Sequence, residues 1–157
     1  MQYSPADVET ATSGDLTPNV LRDWRRRGLL EGIGRQDANG RWRYTRANVC
    51  HLAIASYLAR QGLTIERALS MAAFACNAVI GWLAEVPTDF YDQAKARYRF
   101  VVGYEARGEF QVAPSNNPNF SRFEIGMCHV VNPRLIAESM PKLGHWYNSE
   151  RQAATRD

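Results

Sequence analysis

Long apolar runs are missing from this 157-residue chain. No stretch approaches the ~20 consecutive apolar residues of a membrane helix, so no membrane span is expected. Cysteine is scarce. Cys50, Cys76 and Cys128 are odd in number and widely spaced, which argues against a disulfide framework. Cys50-His51 and Cys128-His129, with Cys76 and His145, supply the residue types of a metal site. None of them forms the closely spaced cysteine pair of a structural zinc site, and free cysteine is commonly a buried apolar residue, so no metal is expected. Also missing are a glycine-rich phosphate loop, His-Glu-x-x-His and Gly-x-Ser-x-Gly. Cys128 and His129 are neighbours on a predicted strand and would point to opposite faces. Neither catalytic residues nor a cofactor is therefore expected, and the chain does not read as an enzyme. The opening "MQYSPADVET" has no basic region followed by an apolar run, so it does not read as a signal peptide. A cytoplasmic, nucleoid-associated protein is the expectation.

Net charge is small, at +3, but it is unevenly spread. Residues 21–46, "LRDWRRRGLLEGIGRQDANGRWRYTR", hold eight arginines and three acids. That is a local net of +5, and it leaves −2 for the other 131 residues. A confined basic patch is the electrostatic footprint of a polyanionic partner.

The elements around this patch follow from caps and periodicity. Ser4 with Pro5 starts a short helix over 4–12, and Thr17 with Pro18 starts a second, ended by Gly28. Asn39-Gly40 signals a hairpin turn, because both residues tolerate positive φ, so 33–45 reads as a small projecting two-stranded ribbon. Thr45 caps a third helix over 46–60, and Thr64 caps a fourth that reaches about residue 85. The fourth helix carries two apolar stripes. One is Ile65, Leu69, Ala72, Cys76, Val79, Ile80 and Leu83. The other is Met71, Phe74, Ala78 and Trp82, which needs either the rest of the chain or a second copy to cover it.

After Pro87 the period changes to two. Strands are expected over 98–105, over "EFQVA" beyond an "ARG" turn, and over 120–131. A helix over 133–143 follows, disturbed by Pro141, and then a polar disordered tail. The chain thus reads as α+β. An N-terminal winged helix-turn-helix, four helices plus a two-stranded wing, occupies 1–86. A small antiparallel sheet with a helix occupies 87–157. Tyr98, Phe100, Tyr104, Phe110 and Phe123 either pack the core of that second domain or line a pocket for a small apolar ligand. The domain is open to dimerisation or to a protein partner.

In a winged helix-turn-helix the second helix lies in the major groove and the ribbon touches the flanking backbone. Arg22, Arg25 and Arg26 lie on or beside one face of that helix, and arginine suits bidentate contact with phosphate or guanine. Thr17 and Asn19 sit at the helix N-terminus, where exposed N–H groups favour phosphate. On the ribbon Arg41 and Arg43 alternate with Trp42 and Tyr44, giving one cationic and one packing face.

"TPNVLRDWRRRGLL", "GRWRYT" and "VCHLAIASYLARQGLTIERAL" resemble, in this order, the DNA-binding domain of the MerR-type transcription regulators over about residues 3–72. The resemblance implies a dimer that binds double-stranded DNA at an inverted repeat. It implies that Arg22 matches the family's recognition-helix arginine, and that Arg41, Arg43 and Tyr44 match its wing. A homodimeric repressor is the simplest expectation. The alternatives are an architectural factor of excisionase or partition-adaptor type, and a protein-interaction module that does not bind DNA.

Overall fold

The computed structural model describes residues 2–83, 99–116 and 128–154. Hydroxyl caps open the N-terminal helices. In α1 (Pro5–Ala11) and α3 (Arg46–Arg60) the cap is reciprocal. Ser4 accepts from the Asp7 amide at 3.3 Å while Asp7 accepts from the Ser4 amide at 2.6 Å. Thr45 and Asn48 exchange the same bonds at 3.1 and 3.0 Å. In α2 (Pro18–Arg26), Thr17 Oγ1 accepts from Val20 at 3.3 Å. Each such cap contributes about 1 kcal/mol by satisfying an otherwise orphaned donor. α2 ends on Gly28 at φ +75°. The Gly28 and Leu29 amides return to the carbonyls of Arg25 and Trp24, both at 2.9 Å, a Schellman closure.

A ribbon of β1 (Arg35–Gln36) and β2 (Trp42–Arg43) follows, antiparallel, with Arg35 opposite Arg43 and Gln36 opposite Trp42. It is shorter than the expected 33–45. Its turn also differs in kind. Gly40 has φ +73°, but Asn39 is not left-handed. The Asp37 carboxylate accepts from the amides of Asn39 and Arg41, both at 2.9 Å, and the Gly40 amide donates to the Asp37 carbonyl at 2.9 Å. Asp37, rather than Asn39, therefore shapes the turn. The paired left-handed residues expected there occur instead at Arg107 and Gly108, φ +54° and +81°, in the "ARG" turn.

α4 (Ile65–Leu83) is the central element, buried along most of its length, with α3 on one side. The other side receives the sheet of β3 (Phe100–Ala106), β4 (Glu109–Ser115) and β5 (Cys128–Val131), which has antiparallel order β4-β3-β5. Val101 and Val102 of the middle strand are both fully buried, so β3 does not show the simple alternation expected of it. Gly103 of β3 leaves no room for a side chain: a Cβ there would stand 2.8 Å from Met71 Sδ of α4 and 2.5 Å from Phe110 Cζ of β4. The parts of the expected strands at residue 98 and over 120–127 lie outside the described residues, as do Tyr98, Phe123 and the expected boundary between residues 86 and 87.

α5 (Pro133–Ser139) stops two residues before Pro141, and α6 (Pro141–Ala154) starts on it. The sequence reading expected one helix to about 143 and a disordered tail over 148–157. Proline cannot donate within a helix interior but suits the first position, so Pro141 ends one helix and begins the next. The polar tail is helical to Ala154. α6 folds back onto α1, α3 and α4. Its Leu143 and Tyr147 join the same buried cluster as Val8, Leu52 and Met71, so residues from both halves of the sequence share one core.

Candidate nucleic-acid interface

α2, the ribbon and the start of α1 enclose an open groove of about 730 Å³. Ser4, Pro5 and Pro18 form part of its wall, and Arg22, Arg25, Arg26, Arg41 and Arg43 line it. Five of the eight clustered arginines therefore meet on one surface. Arg27 is turned elsewhere, with Asp23 at 3.9 Å and Glu66 of α4 at 3.3 Å.

The five are held differently. Arg22 is exposed, its Nη1 donating to Asn19 Oδ1 at 3.2 Å. Arg26 pairs with Asp23 at 2.6 Å, yet its side chain stays 80% exposed. A pair that open contributes little and is readily exchanged for another anion. Arg41 is exposed at the turn. Arg43 is half-buried and donates from Nε to Asp37 at 3.0 Å. The Asp37 carboxyl lies below its usual range, first because it accepts the Arg41 amide and then because of Arg43 and Asn39, with partial desolvation opposing.

Arg25 and Tyr44 depart from expectation. Both were read from the sequence as groups facing a nucleic acid. Tyr44 is only 1% exposed and belongs to the core. Its backbone exchanges two hydrogen bonds with Tyr3, both 2.8 Å, as an isolated bridge beside the ribbon. Arg25 is half-buried, with its guanidinium 3.2 Å from the centre of the Trp42 ring and Nη2 donating to the Ile33 carbonyl at 2.6 Å. Thr17 is half-buried with its hydroxyl engaged as the cap, and Asn19 is exposed beside Arg22. Sequence reasoning missed Asp37 as the turn former and Ser4-Pro5 as a wall. An Asp preceding Ala-Asn-Gly was the available signal for the first, and nothing local signals the second.

The stripe of Met71, Phe74, Ala78 and Trp82 is divided. Met71 and Ala78 are buried within the chain, whereas Phe74 is 46% and Trp82 36% exposed. Trp82 also lines a cavity of about 510 Å³ with Phe100, Asn132 and Arg134. Phe100 is therefore at a cavity, while Phe110 lies against the position of Gly103. Cys50 and Cys76 are buried at the α3–α4 contact. Burial pushes both thiols up, that of Cys76 to about 12. His51 holds the Leu69 carbonyl at 2.9 Å, and desolvation lowers its pKa. Among the described residues no cluster of three metal-type ligands occurs, and no helix is long and apolar enough to cross a membrane.

No curated protein matches the chain. Residues 3–72 match the family model described as MerR HTH family regulatory protein. The match begins at Tyr3, which braces the ribbon, and ends within α4, so it covers every wall of the groove. Over these residues the chain is similar to the MerR helix-turn-helix family of regulatory proteins.

Proposed function

We infer that this chain is a sequence-specific, double-stranded-DNA-binding transcription regulator, acting as a dimeric repressor on an inverted repeat. The observation that carries this reading is the convergence of five arginines on one groove within a family helix-turn-helix segment. In this reading α2 enters the major groove, which accommodates one helix, and the β1–β2 ribbon is the wing that follows the backbone. Arg22 and Arg26 face base edges or phosphates. Thr17 and Asn19 approach a phosphate at the start of α2, and Arg41 and Arg43 take backbone phosphates. The exposed members of the α4 stripe, Phe74 and Trp82, are the candidate contacts between two copies. The cavity beside Trp82 is the candidate seat of a small ligand or partner group. The protein then resides where DNA is, at the nucleoid.

Selection of bound duplexes from a random pool, followed by hydroxyl-radical footprinting and light scattering, tests this reading. The expected result is two protected half-sites about one helical turn apart, with a protein mass twice the chain's 17.8 kDa. A long continuous footprint from side-by-side copies would make it an architectural factor. Absence of binding to any duplex at low salt would leave a protein-interaction module.

A further inference from the structure

The ribbon contains only two paired residues per strand, Arg35–Gln36 and Trp42–Arg43. So short a hairpin has little stability of its own, and its attitude to the rest of the fold must be set by other contacts. Arg25 supplies them from α2. Its guanidinium lies over the Trp42 ring of β2 at 3.2 Å and 5.6 Å from the Tyr44 ring centre. Nη2 donates to the Ile33 carbonyl, just before β1, at 2.6 Å, and to the Tyr44 hydroxyl at 3.3 Å. One planar fork thus touches the entry, the return strand and the exit of the ribbon. The backbone is shaped to admit it. A Cβ on Gly34 would stand 3.0 Å from Arg25 Nη2 and 2.9 Å from the Arg43 carbonyl, at a φ of +79°. The buried Nε of Arg25 has no hydrogen-bond partner among the described residues. Stacking and the fork geometry, more than complete hydrogen bonding, therefore hold the side chain, a role that suits guanidinium and not ammonium.

We propose that Arg25 is a positioning residue: it fixes the ribbon against α2 and so sets the spacing between the helix contacts and the ribbon contacts on a duplex. It is not itself a contact to DNA. This rests on the DNA-binding reading above, and it deepens it by naming what sets the reach of the site.

Two measurements on the full chain test it, with Arg25→Gln as the main variant. The first needs no DNA. Amide hydrogen exchange at Asp37 and Tyr44, whose N–H groups donate to Arg41 and Tyr3, should accelerate at least tenfold while α3 amides stay unchanged. The second is binding to a selected duplex over a range of salt. Releasing the ribbon removes the contacts of Arg41 and Arg43 together, so the salt slope should fall by more than the ~0.9 of Arg41 alone and by less than ~1.8, about 8- to 60-fold in affinity at 0.1 M salt. Adding Arg41→Ala to Arg25→Gln should then cost nothing further, and Arg25→Lys should not restore binding. Unchanged ribbon exchange, or a slope reduced by only about 0.9 with Arg41→Ala still fully additive, would overturn the proposal and make Arg25 a direct phosphate contact. Rescue by lysine would do the same. Failure of the unaltered protein to bind any duplex would count against the DNA reading alone, since the exchange measurement still decides whether Arg25 holds the ribbon. If Arg25→Gln unfolds the chain, Trp42→Leu removes the other half of the stack and is judged by the same outcomes.

Discussion

The groove arginines differ in how much charge they can offer. Arg41 is exposed, whereas Arg43 already donates to Asp37, whose carboxyl is held ionised by the turn it closes. A phosphate would have to compete with that carboxylate. Arg41→Ala should therefore lower the salt slope of duplex binding by about 0.9, and Arg43→Ala by clearly less, because the Arg43 charge is already largely compensated by Asp37 and takes up less of a phosphate's charge. Affinity measured at several salt concentrations checks both, and equal slopes for the two variants would contradict the difference. The same contrast separates residues legible in the sequence from those that were not. Arg22, Arg26 and Arg41 face solvent as polar residues of a helix or turn ordinarily do. Arg25 lies inside because of Ile33, Trp42 and Tyr44, residues up to 19 positions away, and a local pattern carries no information about such distant partners.

Among the elements, those with local signals were read well. Ser4, Thr17 and Thr45 announce α1, α2 and α3, because a cap is decided within four residues. The two short strands fall inside the expected 33–45 but occupy only part of it, and the turn between them is shaped by Asp37, whose side chain competes with the backbone preference of Asn39-Gly40. The meeting of α4 and β3 had no such signal. It depends on Gly103, over which Met71 and Phe110 close. Gly103→Ala puts a methyl group into that contact, 2.5 Å from Phe110 Cζ and 2.8 Å from Met71 Sδ, so both side chains must shift. Overpacking of this kind costs about 1–3 kcal/mol. Urea unfolding of the variant should show a loss of that size, and a neutral result would mean that the sheet can slide along α4.

For the molecule as a whole, the shared core is the main consequence. Residues 3–72 carry the family match, yet they do not close over their own apolar surface. Leu143, 1% exposed, and Tyr147, 9% exposed, cover it from α6. A chain stopped after Met140 would uncover that surface, at about 25 cal/mol for each Å² of apolar area exposed. Cys50 and Cys76 report the outcome. In the intact protein their raised pKa values and burial should leave them unreactive to dithionitrobenzoate at pH 8, with only the half-buried Cys128 labelled quickly. In the shortened chain all three should react, and retention of two protected thiols would show that the N-terminal helices hold together without α6.

Tyr3 is wedged between the two ends of the sequence. Its backbone is paired with Tyr44, its ring meets Trp146 edge-on at 5.2 Å, and it is 4% exposed. A purification handle or fluorescent label joined directly ahead of Gln2 is therefore not innocuous. It would pull on the backbone that steadies the hairpin, so a reporter is better carried on the solvent-facing Arg107–Gly108 turn between β3 and β4.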